Sequence, residues 1–196
     1  MRILKNILLI TFLIFAFLNC KRYETHEVHI QLFADKAPVS VKNFYAYIDM
    51  KYYDNTVFHR VISNFMIQGG GYTSDLQKKS GTLSSIKNEA DNGIANTRGT
   101  IAMARRGEIN SATSQFFINV VDNANLDYKD DSPRGFGYAV FGKVIKGMDV
   151  VDKIRYLKTS RKSFHRNVPK KMALIKSIRR IPNKKDIVSM TVKIEK

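Results

Sequence analysis

Short runs of β-branched and aromatic residues recur along this chain at close spacing, and only two stretches carry a helical repeat. That pattern constrains the fold more than any single motif does. In "EVHIQLF" (27–33), Val28, Ile30 and Leu32 alternate onto one face, which predicts a half-buried strand. "TVFHRVI" (56–62), "GTIAMAR" (99–105), "SQFFINV" (114–120), "FGYAVFGKVI" (136–145) and "MALIKSIRRI" (172–181) read as strands too. "DKAPVSVKNFYAYIDMKYY" (35–53) is predicted to be a helix, with Pro38 in its first turn and Val41, Phe44, Tyr45 and Ile48 at helical spacing. "GMDVVDKI" (147–154) is a shorter one. Many strands and two helices predict a closed antiparallel barrel. Two long polar stretches, 69–98 and 123–135, interrupt the pattern, and connections of that length inside a compact domain usually have a task.

Composition bounds the size, and the first residues point to a destination. The chain has 196 residues, 44% of them hydrophobic, which suits one domain with a real core and excludes disorder throughout. Arg2 and Lys5 precede "ILLITFLIFAFL" (7–18), an apolar run of twelve residues, short of the roughly 20 that a full membrane span needs. A basic head and such a run read as a signal peptide or membrane anchor over residues 1–19. Cys20, the only cysteine, follows and is the candidate for lipidation. Asn19 is not the small residue usual before such a cysteine, so an uncleaved anchor and ordinary cleavage stand beside the lipoprotein reading. All three place the protein outside the cytoplasm, and the expected location is the periplasm, in association with a membrane.

Charge is unevenly spread. From Lys153 to Lys196, fifteen Lys or Arg face two acids, Asp186 and Glu195, which accounts for +13 of the formal +16. Residues 182–196 are expected to form a basic C-terminal tail. Such a tail suits an anionic membrane surface, an acidic protein or a nucleic acid, and equally a solvated surface that keeps the chain soluble.

The strand faces carry the chemistry. In "SQFFINV", Phe116, Ile118 and Val120 share the core face, which leaves Phe117 between Gln115 and Asn119 on the other. One exposed aromatic is ordinary, and one beside a glutamine also fits a pocket floor with a polar handle. His59 and Arg60 are adjacent in a strand and point to opposite faces. His59 shares its face with Val57 and Val61 and reads as a core histidine. Arg60 fits either a surface ion pair or the cationic wall of a cleft to which Phe65, Met66 and Gln68 contribute. Gly69 to Gly71 lack the Lys-Ser/Thr of a phosphate loop, no Gly-x-Ser-x-Gly occurs, and no metal site is expected from the histidines.

Taken together, "FHRVISNFMIQGG" (58–70), "GTIAMAR" (99–105), "NSATSQFFI" (110–118) and "FGYAVFGKVIKGMDVVDKI" (136–154) resemble the cyclophilin-type peptidyl-prolyl cis-trans isomerases. "APVSVKNF" (37–44) and "IKNEADNG" (86–93) match as well, and the bacterial, often exported branch is the most similar. The resemblance implies a mainly β fold, an eight-stranded antiparallel barrel capped by two α-helices. It would occupy residues 20–181, with a substrate groove on its outer surface. Arg60 matches the catalytic arginine. Phe65, Met66, Phe117 and Leu126 match the walls of a proline pocket, and Gln68 and Gln115 the groups that hold the peptide backbone. Ala104 and Arg105 match an edge strand that pairs with substrate, and Tyr138 replaces a histidine found in many eukaryotic relatives. The implied partners are proline-containing polypeptides, with no cofactor and a monomeric chain. Asn125 stands where many relatives carry Trp or Phe, so weak cyclosporin binding is expected. The usual Gly-containing turn at the first strand is missing from "KRYETHEVHIQL", and the stretch after about Arg180 has no family counterpart.

Overall fold

The computed structural model describes residues 22–196, so the expected signal or anchor at 1–19 and the lipidation candidate Cys20 lie outside the described residues. Alternation at the start of the chain is realised in β1 (Tyr23–Leu32), whose Val28, Ile30 and Leu32 are buried. Helix α1 (Pro38–Asp49) follows, with Pro38 in its first turn. Its Val41, Phe44, Tyr47 and Ile48 face the core. No acid sits in its own first turn; instead Glu89, from the long polar stretch, accepts from Val39 N (3.0 Å), Ser40 N (2.8 Å) and Ser40 Oγ (2.7 Å). A remote carboxylate thus satisfies orphan amides and the positive end of the helix dipole. That is one task of the 69–98 connection.

Then come β2 (Thr56–Val57), β3 (Arg60–Ile62), β4 (Met66–Gly69), β5 (Thr100–Met103), β6 (Phe116–Asn119) and β7 (Val140–Lys146). Helix α2 (Met148–Arg155) buries Val150, Val151 and Ile154, the residues its spacing predicted. A separate hairpin, β8 (Thr159–Lys162) and β9 (His165–Pro169), precedes β10 (Ala173–Arg180) and β11 (Ile187–Glu195). The aromatic centre of the core is Phe44, with Tyr53 and Phe141 each 5.1 Å away and Phe116 at 5.7 Å.

Two expectations are corrected. The closed eight-stranded barrel does not form. Nine strands make one curled sheet in the order β2-β10-β11-β1-β7-β5-β6-β4-β3, with β2 and β3 as its unjoined edges. The cause is local: the run 56–62, expected as one strand, breaks at Phe58 and His59. Thr56 and Val57 pair with β10 at one edge and Arg60 to Ile62 with β4 at the other; the bent chain and one bond, Val57 N to Tyr72 O (3.0 Å), link them without a ladder. The second correction concerns residues 182–196. They are no appended tail, because β11 pairs along its length with both β1 and β10, and Val188, Met190, Val192 and Ile194 are buried.

Candidate active site

Cross-strand register builds the site. Arg60 of β3 lies opposite Gln68 of β4, Gln68 opposite Phe117 of β6, Phe117 opposite Ala102 of β5, and Ala102 opposite Val140 of β7. Residues directly opposite each other in antiparallel strands put their side chains on one face. This row therefore faces outward, away from the main core. Met66, Ala102, Phe117, Leu126 and Val140 form a second apolar cluster there, with Phe65, Ala104 and Tyr138 packed on it. Phe117, on the polar side of its strand by alternation, is only 4% exposed because that cluster covers it.

A notch of about 90 Å³ opens in this cluster, lined by Arg60, Phe65, Met66, Gln68, Ala104, Arg105, Phe117, Leu126 and Tyr138. Of the site residues expected from sequence, Gln115 alone is not on its wall. Gln115 lines an adjoining polar cavity of about 280 Å³ that shares Gln68, Ala104 and Arg105 with the notch. The two glutamines are joined: Arg60 Nη1 donates to Gln68 Oε1 (3.3 Å), and Gln68 Nε2 donates to Gln115 Oε1 (2.9 Å). Gly71 makes room for Gln115, since a Cβ there would stand 2.5 Å from Gln115 Cγ.

Arg60 is half-buried, and among the described residues no carboxylate pairs with it. The ion-pair alternative left open by its position is thereby removed. Burial lowers its pKa from the ordinary value and nearby Tyr138 opposes the shift, yet a guanidinium stays charged. Tyr138 is itself held between Arg105, whose guanidinium lies 4.9 Å from the ring centroid, and Phe117, edge-on at 5.7 Å. Arg105 Nε donates to Gly137 O and its Nη2 to Pro133 O, each at 2.8 Å, which ties the 104–107 segment to the loop carrying Tyr138.

The expected edge strand at Ala104 and Arg105 is altered. β5 ends at Met103 and lies between β7 and β6, and Ala104 N already donates to Gln115 O (3.0 Å). Ala104 and Arg105 instead form a border shared by the two cavities, and Arg106 lines the polar one. Asn125 is exposed beside Leu126 in a single 3-10 turn, Ala124–Leu126.

A set of buried amides behind the notch escaped the sequence reading. Asn119 Nδ2 donates to Asn96 Oδ1 (3.1 Å) and Thr100 Oγ1 (2.9 Å), and its Oδ1 accepts from Asn123 Nδ2 (2.7 Å). Asn123 Nδ2 also reaches Phe65 O (2.8 Å), and Asn96 Nδ2 reaches Leu126 O (3.2 Å). Two walls of the notch are thus held from behind by their carbonyls. Asn119 had been placed on the face of Phe117 by alternation, which was the one available signal; Asn96 and Asn123 lie in loops where periodicity says nothing.

The curled sheet thus carries a small apolar notch on its outer face, with a guanidinium beside it that pairs with no carboxylate among the described residues. Comparison with known proteins places this arrangement in a family. Residues 20–194 match the family model of the cyclophilin type peptidyl-prolyl cis-trans isomerases. A peptidyl-prolyl cis-trans isomerase of Acinetobacter baylyi is 56% identical over 151 residues, 77% of this chain and 78% of that protein. The peptidyl-prolyl cis-trans isomerase B of Escherichia coli is 53% identical over 78% of this chain and 92% of its own. A solved cyclophilin type isomerase of Cryptosporidium parvum, in the presence of the dipeptide Ala-Pro, superposes with a TM-score of 0.62 at 26% identity, over 85% of this chain and 96% of that one. The chain belongs to the cyclophilin-type family and is a peptidyl-prolyl cis-trans isomerase, an enzyme of X-Pro bond rotation.

Proposed function

We propose that Arg60 stabilises the twisted imide and that the enzyme serves the folding of exported proteins. Amide resonance sets a rotation barrier of about 18–20 kcal/mol. Unassisted X-Pro isomerisation therefore takes roughly tens to hundreds of seconds. No bond breaks in the reaction. As the imide twists, conjugation is lost and the proline nitrogen regains its lone pair. A fixed guanidinium donates a hydrogen bond toward that nitrogen only at this stage, so it binds the transition state better than the planar ground state. Phe65, Met66, Phe117 and Leu126 hold the ring, while Gln68 and Gln115 hold the flanking backbone. A rate gain of about 10⁴–10⁵ requires roughly 5.5–7 kcal/mol, shared between the cation and the anchored peptide.

The observation that carries this reading is the half-buried Arg60 guanidinium, positioned by Gln68 on the notch wall with no carboxylate to neutralise it. Arg60→Ala should lower kcat/KM on a short X-Pro peptide by at least about tenfold, or roughly 1.4 kcal/mol. Arg60→Lys should fail as well, because the planar fork is lost. Undiminished turnover by either variant in a coupled peptide assay would remove Arg60 from the reaction.

Export rests on the basic head, the apolar run 7–18 and Cys20. Mass spectrometry of the mature N-terminus distinguishes its forms: a diacylglyceryl-modified Cys20, an intact Met1, or a cut beyond residue 18. Full-length chain recovered from the cytoplasm would contradict all three. The exposed amide of Asn125 supports weak cyclosporin binding.

A further inference from the structure

Part of the basic surplus lies at one end of the sheet, around the point where the described chain begins. Lys196 N donates to Arg22 O (2.9 Å), Glu195 N to Met172 O (2.9 Å), and Lys170 N to Lys158 O (2.8 Å). These bonds bring together the start of β1, the end of β11, the approach to β10 and the base of the β8–β9 hairpin. Arg22, Lys158, Lys170, Lys171 and Lys196 are all exposed there. Lys153 of α2 is close enough to Glu24 to act on its carboxyl and is exposed too. The acids at this end are Glu24, paired with Lys196 (3.3 Å), and Glu195, which accepts from Met172 N (2.9 Å). Cations outnumber them.

None of these residues lines the notch or its adjoining cavity. The surface therefore has no part in holding the proline. Its position is set by the chain before it. Arg22 lies four residues beyond Leu18, the last residue of the apolar run. Four residues reach at most about 14 Å when fully extended. The field of a charged surface decays over roughly 8 Å at physiological ionic strength. A run lodged in a bilayer would hold this end of the sheet within one or two such lengths of the headgroups.

We propose that the end of the sheet formed by Arg22, Lys158, Lys170, Lys171 and Lys196 lies on an anionic lipid surface, which leaves the notch residues free of that contact. This rests on the reading of residues 1–19 as an uncleaved anchor, or of Cys20 as lipidated, either of which keeps a tether beside Arg22. Juxtamembrane Lys and Arg are drawn to anionic headgroups and released by salt. The tether favours lipid over a free acidic protein, because it places the cations at the bilayer whatever else is present.

The test uses the full chain mixed with vesicles of phosphatidylcholine alone, or with about 30 mol% phosphatidylglycerol, and footprints lysines with an amine-reactive reagent read by mass spectrometry. Labelling of Lys158, Lys170, Lys171 and Lys196 should drop by at least roughly threefold on anionic vesicles and recover at about 0.5 M salt, where screening is near-complete. Lys42 and Lys129, elsewhere on the molecule, should not change. Lys170→Glu with Lys171→Glu should abolish protection of Lys158 and Lys196 while X-Pro turnover is kept, which shows that the variant is folded. Chain that floats with both kinds of vesicle but labels alike on each keeps the anchor and overturns the docking. Chain that floats only with anionic vesicles, protected, supports the docking and overturns the anchor. Chain that floats with neither overturns both. Protection by polyglutamate but not by vesicles would transfer the surface to an acidic polypeptide and overturn the lipid proposal.

Discussion

His59 and Arg60 are one peptide bond apart and lie in different environments, because His59 belongs to the break between β2 and β3 and Arg60 opens β3. His59 is 6% exposed, with its ring 4.5 Å from that of Tyr72. Burial foremost, then the charges of His165 and Arg60, push its pKa from 6.5 down to about 4, against a smaller opposing pull from the Val57 backbone. Between pH 6.5 and 4 the unfolded chain therefore binds a proton that the folded chain refuses. The stability linked to His59 is full above about pH 6.5 and is lost as pH falls through about 4. The loss amounts to about 3 kcal/mol. Urea midpoints measured from pH 7 to pH 4 should fall accordingly, and His59→Phe should flatten that part of the profile. An unchanged profile in the variant would assign the acid sensitivity to other groups. Arg60, on the outer face, keeps its charge in the partial shelter of the notch; alternation predicts the opposite faces of this pair but fails at Phe58, which shares the parity of Arg60 and is buried in the main core.

At the scale of elements, β11 is the instructive case. "IVSMTVKIE" alternates as cleanly as β1 does, with Val188, Met190, Val192 and Ile194 inward. The concentration of positive charge in the last residues drew the reading toward a solvated tail, although lysines such as Lys193 can occupy the outer face of a strand without disturbing its inner one. β4 is not among the expected strands, because it is only four residues long and its last residue is the first of three consecutive glycines. The hairpin β8–β9 is polar on both sides, so it carries no period-two signal. The two helices and the inward residues of β1 and α2 follow from local spacing, and the notch residues from a motif; Tyr45, expected inward in α1, is only partly buried, and Tyr47 takes the place in the core. Removing residues 182–196 should therefore abolish soluble, cooperatively folded protein, and X-Pro turnover with it. The exposed backbones of β1 and β10 would otherwise be left without their shared partner. A truncated chain with native circular dichroism and full turnover would contradict the role given to β11.

Over the whole molecule, the late cations reach back to early acids. Arg179 pairs with Asp54 (2.5 Å), Arg180 with Asp49 (2.6 Å) and Lys196 with Glu24 (3.3 Å). These pairs are exposed or partly exposed, solvent screens them, and singly they contribute little to stability. They do record the topology, in which the last third of the chain wraps against the first. Sequence pattern reveals that strands exist but not which distant ones meet, since pairing across the full length leaves no local mark. The register Tyr23↔Glu195 is the extreme instance. The sheet is complete only when its final strand slots between the first and the tenth. The keystone of the sheet is therefore the last stretch of chain to leave the ribosome, so the two strands it joins have to wait for the rear end before they can be locked together.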